Sequence, residues 1–205
     1  MDYDLAAAVA RTQASALIPK NYRAVGELIL RDFLVLGANA TLLIVEDQSK
    51  ILWSIPARFE QGQLRRAHVG DGASENLITA LVAQKSFNNF SFQKFAARHV
   101  HGEREISADQ TNESVVVGDQ VVVKWQTKLQ KNYAAPARLI ALQEQSFEAT
   151  PPLWGLATWR DPRTPSDRYL LASAISFVKD GQDGWEWCGG AWRLDKRCWR
   201  ATHAG

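Results

Sequence analysis

Two valine-rich runs meet at a tight turn: Ser114-Val115-Val116-Val117, then Gly118-Asp119, then Gln120-Val121-Val122-Val123-Lys124-Trp125-Gln126. β-Branched residues lose side-chain freedom in a helix and pack well on a pleated surface, and a Gly-Asp pair accepts the left-handed backbone of a hairpin turn. The stretch is therefore committed to an antiparallel pair of strands. Alternation places Val122, Lys124 and Gln126 on one face and Val121, Val123 and Trp125 on the other. On a covered face the Lys124 ammonium needs an anionic partner to offset lost hydration; on an open face it is simply solvated. The residues leave both readings open. Nucleotide phosphates are one such partner, and the small polar residues from Gln110 to Ser114 offer them backbone and hydroxyl donors.

Upstream, the first third of the chain reads as short strands. Ala24 to Leu36, Thr41 to Glu46, Lys50 to Phe59 and Gln63 to Val69 are separated by polar turns, which predicts an antiparallel meander. After Gly70-Asp71-Gly72 the period changes. Ser74 is expected to cap a helix carrying Leu77, Ile78, Leu81 and Val82. Ser86 to Ser91 reads as a loop and Phe95 to Val100 as a strand. Downstream of the hairpin, Pro136 starts a helix that Pro151-Pro152 stops, and strands follow over Leu153 to Trp159 and Tyr169 to Val178. The fold class expected is α+β, with a boundary near residues 102–108.

Several function classes drop out. With 24 Lys and Arg against 22 Asp and Glu, the formal charge of +2 gives no general attraction to nucleic acid or to an anionic membrane. No apolar run approaches the ~20 residues that a spanning helix needs. The N-terminus is acidic where a signal peptide would be basic, so the expected location is cytoplasmic. Gly70-Asp71-Gly72 lacks the third glycine and the lysine of a phosphate-binding loop and reads as an ordinary strand-to-helix turn. His99 and His101 share a face if extended, but two ligands without a third make no metal site.

Four segments in order carry a resemblance: Thr111-Asn112-Glu113-Ser114 through Val122-Val123-Lys124-Trp125, Pro136-Ala137-Arg138-Leu139, Pro151-Pro152-Leu153-Trp154-Gly155, and Asp180-Gly181-Gln182-Asp183-Gly184-Trp185-Glu186-Trp187. Together they resemble the actinobacterial maltokinases and glucosamine kinases, the glucosamine-kinase branch more closely. These enzymes look like aminoglycoside phosphotransferases. The resemblance implies a strand-rich N-terminal cap over residues 1–104 and a kinase-like N-lobe, the nucleotide-binding subdomain, over 105–184. It also implies ATP with Mg²⁺ as cofactor and an amino sugar or maltose-type sugar as acceptor. Thr111, Asn112 and Ser114 would then lie in the phosphate-facing loop, Lys124 on the α/β-phosphates, and Phe177 and Val178 at the hinge that meets adenine. Glu144 is the nearest helix carboxylate that could pair with Lys124.

The departures are as informative as the matches. Phosphoryl transfer needs a residue that orients the acceptor hydroxyl and oxygen ligands for Mg²⁺. After Gly184 only Glu186 and Asp195 carry carboxylates, so the family's C-terminal lobe, with the Mg²⁺ ligands and most sugar contacts, is expected to be absent. Residues 185–205 hold four of the eight tryptophans, both cysteines (Cys188 and Cys198) and the cations Arg193, Lys196, Arg197 and Arg200, without helical periodicity. This change of character suggests a shifted frame or an early stop. The expectation is the N-terminal part of a sugar kinase, inactive alone. The alternative is a non-catalytic, cap-like module that binds a partner enzyme of glycogen, maltose or trehalose metabolism.

Overall fold

The computed structural model describes residues 4–179 except 25, 39, 61–62, 85, 107–112, 132–134, 146 and 148–149. Two short helices open the chain, α1 (Leu5–Arg11) and α2 (Ala14–Leu17). Asp4 starts the first by accepting the Ala7 N–H at 3.0 Å. The expected meander follows as β1 (Ile29–Gly37), β2 (Ala40–Glu46), β3 (Leu52–Glu60) and β4 (Gln63–Arg66), paired antiparallel in that order. Its β2–β3 turn is organised by Asp47, whose Oδ1 accepts the N–H groups of Ser49 and Ile51 while Oδ2 accepts the Trp53 indole N–H. The helices cover one face of this sheet, where Val9 and Leu17 pack with Leu43, Val45, Trp53 and Ile55.

Helix α3 (Ala73–Ala83) then leads to β5 (Phe90–Lys94), β6 (Glu103–Glu105), β7 (Ser114–Val117) and β8 (Val121–Trp125). Helix α4 (Ala135–Glu144) precedes β9 (Leu153–Arg160) and β10 (Arg168–Ser176). These six strands form one antiparallel sheet in the order β5-β9-β10-β8-β7-β6. The molecule is thus layered: α1 and α2, the four-stranded sheet, α3, the six-stranded sheet, α4. Helix α3 is the middle layer. Its Leu77, Ile78 and Leu81, all fully buried, share a single cluster with Leu42 and Ile44 of one sheet and Val121, Val123, Trp125 and Trp159 of the other. Gly155 of β9 lets it approach, since a Cβ there would lie 2.7 Å from Leu81 Cδ2.

Three polar devices join the layers. The Glu103 carboxylate accepts four backbone N–H groups at the start of α3, from Gly70, Gly72, Ser74 and Glu75, at 2.7–3.1 Å. An acid from β6 therefore fills the anion position of the Gly70-Asp71-Gly72 turn, which is structural as the sequence indicated. Second, β4 pairs only with Ala57 to Glu60, and the vacant half of β3 is taken by the chain leaving β8: Ser54 N bonds Thr127 O and Leu129 N bonds Leu52 O, both at 2.9 Å. Third, Glu46 at the end of β2 accepts Arg31 and Arg163, and Arg163 also grips Asp161 beyond β9. Burial by itself raises the Glu46 pKa, but hydrogen bonds from Arg31 and Arg163 outweigh it and bring it down to about 2.

Some expectations need correction. The strand expected over Phe95 to Val100 lies instead at Phe90–Lys94, because Phe90 and Phe92 are the alternating buried pair. Phe95 and Ala97 turn away, both donating to Trp154 O, and Arg98 stacks on the Trp154 ring. Ser74 is not the cap of α3. Gly72, in the left-handed conformation, takes that position, and the Ser74 hydroxyl accepts the Trp125 indole N–H at 3.0 Å. Helices α1 and α2 and strand β6 were not anticipated. The division expected at 104/105 falls inside β6, and β5 already belongs to the second sheet. No helix among the described residues is long and apolar enough to cross a membrane.

Two outcomes follow. Glu103→Ala strands several N–H groups at the helix start and should cost about 2–4 kcal/mol in urea unfolding, with Glu103→Gln in between, since charged hydrogen bonds contribute roughly 1.5–3 kcal/mol each. An E103A midpoint matching the parent's would dismiss that role. Glu46 has a folded pKa depressed to about 2 from its ordinary 4.5, so its contribution is complete above pH 4.5 and fades as pH falls toward 2. Glu46→Gln should therefore be clearly less stable than the parent at neutral pH, the gap closing over that window.

Candidate functional site

The β7–β8 hairpin forms as its sequence dictates. Gly118 and Asp119 both have positive φ, 59° and 52°, and Gln120 N closes the turn on Val117 O. Val121, Val123 and Trp125 point into the core against α3. Lys124 therefore lies on the opposite face. Its cross-strand partners are Ser114 on β7 and Ser173 on β10, and Leu156 continues the row on β9. Leu153, Leu156 and Leu170 on this face are covered by Leu139 and Ile140 of α4, so α4 flanks the row that carries Lys124. The Lys124 side chain is half-buried, which places it between the covered and open readings.

Ser114 and Lys124 are brought together, and what they lack is telling. The Ser114 Oγ is buried and has no hydrogen-bond partner among the described residues. No described carboxylate pairs with Lys124, and Glu144, exposed at the last position of α4, does not reach it. A hydroxyl and an ammonium side by side, neither answered by a described acceptor, suit an anionic group. Thr111 and Asn112 lie outside the described residues, as does the segment from Asp180 onward. Phe177 and Val178 sit elsewhere on the same strand pair: Phe177 N bonds Gln120 O at 2.8 Å, at the turn end of β8. Four residues of strand separate that point from Lys124, on the order of 13 Å. The Arg104 guanidinium lies 4.9 Å from the Phe177 ring centroid, and Val178 is exposed.

Sequence reasoning gave no role to Glu113 and Arg66. Their carboxylate and guanidinium meet at 2.5 Å, linking β4 to the first residue before β7. They line a cavity of about 160 Å³ with His68, Ser74, Glu103 and Ser114. Burial raises the Glu113 pKa, and the charges of Arg66 and His68 pull it partway back. Glu113 stands inside the stretch that drew attention, but its partner comes from the other sheet, 47 residues earlier in a chain without internal repeats. His101 Nδ1 bonds the Glu75 carboxylate at 2.7 Å, and among the described residues no group of three or more His, Cys, Asp or Glu could hold a metal.

No family model matches the chain. Individual proteins do. The glucosamine kinase of Mycolicibacterium smegmatis is 38% identical over 164 residues, covering 78% of this chain and 40% of that protein. The glucosamine kinase of Streptacidiphilus jiangxiensis is 36% identical over 170 residues, covering 79% and 38%. A solved glucosamine kinase in complex with glucosamine, ADP and inorganic phosphate superposes with a TM-score of 0.77 at 31% identity, over 91% of this chain and 44% of that one. The chain is similar to glucosamine kinases. It shares their fold, α+β with antiparallel sheets, and spans about two-fifths of the length of the curated relatives it matches. A second crystal form of a glucosamine kinase gives the same TM-score, 0.77, at 30% identity.

The Arg66–Glu113 pair yields a direct check. In Arg66→Ala the Glu113 carboxyl loses its nearest positive charge while staying buried. It should titrate at higher pH than in the parent, read from its side-chain carboxyl carbon by NMR.

Proposed function

We propose that the chain is the cap and nucleotide-binding part of an ATP-dependent sugar kinase acting on glucosamine, with the cap built on the four-stranded sheet and the nucleotide-binding subdomain on the six-stranded sheet. The observation that carries this reading is the buried Ser114 Oγ, without a partner among the described residues, opposite Lys124. The M. smegmatis and S. jiangxiensis relatives are named glucosamine kinases, and a structural neighbour holds glucosamine, ADP and phosphate. These names favour glucosamine over a maltose-type acceptor.

The residues present fit a nucleotide. ATP supplies the phosphoryl group that is transferred. Lys124 would hold the α- and β-phosphates by charge, and Ser114 would donate its hydroxyl beside it, joined by Thr111 and Asn112 from the preceding loop. Val122, two residues before Lys124, and Ile175 opposite it offer apolar surface on the same face. Past them, the backbone at Phe177 and Val178 would meet the base. Phosphates and base thus fall at opposite ends of β8, as a nucleotide requires. Mg²⁺ ligands and the acidic group that orients the acceptor hydroxyl would come from a second lobe, so turnover by residues 1–205 alone is not expected.

Lys124→Met should lower ADP affinity at least ten-fold by calorimetry without changing the melting temperature by more than a few degrees, and Ser114→Ala should lower it several-fold. The reading fails if K124M binds ADP as the parent does.

A further inference from the structure

The β7–β8 ladder is closed at one end by the Gly118-Asp119 turn, and Ser114–Lys124 is its last described pair at the other. Lys124 is held from both sides, since Ser173 of β10 lies opposite it as well. Ser114 is held from one. Strand β6 runs along the far side of β7, but its described pairing covers only Val115 to Val117. Ladder ends open first, so Ser114 is the member of the site whose place depends most on what lies next to it in the chain.

That neighbour is Glu113, which is fastened twice. Its carbonyl accepts the Trp125 N–H at 2.9 Å, and its carboxylate meets the Arg66 guanidinium at 2.5 Å. The Arg66 and Glu113 side chains are only 25% and 29% exposed, and a charged contact shielded from water holds more strongly than one at the surface. Arg66 is the last residue of β4, and its backbone is fixed in the four-stranded sheet by pairing with Ala57. Arg58 and Arg65 beside it both bind Asp71. Of these three arginines, Arg66 is the one committed to the second sheet.

We propose that Arg66 is a positioning residue for the nucleotide site: acting through Glu113, it holds the Ser114 hydroxyl beside Lys124. The inference rests on the nucleotide reading above and adds to that site a residue from the other sheet. Arg66 makes no contact with the nucleotide; it pins the strand end from which Ser114 donates. The four-stranded sheet thereby sets part of the nucleotide affinity.

In the 205-residue protein, Arg66→Met should weaken ADP binding about five-fold by calorimetry, and Arg66→Lys, which keeps the charge, should bring it back to within about two-fold of the parent. Adding Glu113→Gln to R66M should cost nothing further, because both changes break one contact. Glu46→Gln, which breaks the separate Glu46–Arg163 contact, should bind ADP as the parent does. Amide hydrogen exchange reads the same clamp without ligand. The Trp125 N–H, bonded to Glu113, should exchange several-fold faster in R66M, while the Gln126 N–H, bonded to Leu171 on β10, should keep its parental rate. Parental ADP affinity in R66M, with weakened binding in Lys124→Met, overturns the positioning role and leaves the nucleotide reading standing. Parental affinity in K124M removes both. An equal loss in E46Q, or equal acceleration at Trp125 and Gln126, shows general loosening and also overturns the role. If R66M melts too low to assay, Glu113→Gln alone decides by the same two measurements.

Discussion

The Glu103 carboxylate, closed over four amide groups at the start of α3, is the contact on which the layered arrangement rests. Helix α3 is the surface that both sheets share, and its position along its own axis is set where those amides meet the acid from β6. Helix N-termini carry partial positive charge and attract anions from solution. Here the protein supplies the anion itself, across about 30 residues of sequence, and converts a potential ligand site into a joint. The anion site proposed at Ser114 and Lys124 is built differently, from side chains on strands.

Much of the fold was legible because local chemistry and tertiary demand agreed. The valine runs around Gly118-Asp119 could only pair, and the alternation that separated Lys124 from Trp125 is the alternation observed. The meander, α3, α4 and the last two strands fall close to where periodicity and turn residues put them. What misled was competition between signals. Phe95 to Val100 has strand-like composition, but Phe90 and Phe92 have the deeper claim on the core, so the strand sits five residues earlier. Ser74 looks like a cap, yet Trp125 claims its hydroxyl. Strand β6, Glu103-Arg104-Glu105, is wholly charged and has no apolar pattern to read; it exists because β7 has an edge to fill.

The candidate site was half legible. Lys124 and Ser114 stood out by residue type and spacing, and the structure makes them cross-strand neighbours. Phe177 and Val178 entered through the resemblance, since nothing in their composition marks them. Arg66 and Glu113 were invisible from sequence. Their pairing requires knowing that β4 of one sheet ends beside the start of β7 in the other. Charge pairs of this kind belong to the topology, and topology is what a single sequence states least directly.

The half of β3 that β4 leaves bare is filled by Thr127 to Leu129, a segment that comes from beyond the second sheet's hairpin. Exposed strand edges recruit foreign strands, and proteins generally cover them with something close at hand in the chain. This one borrows its cover from the neighbouring unit. The four-stranded sheet therefore cannot be excised, recombined onto another unit or expressed as a free-standing module without opening a sticky edge in the middle of its third strand. The two units are distinct in plan and inseparable in manufacture: whatever changes one must preserve the three residues it lends to the other.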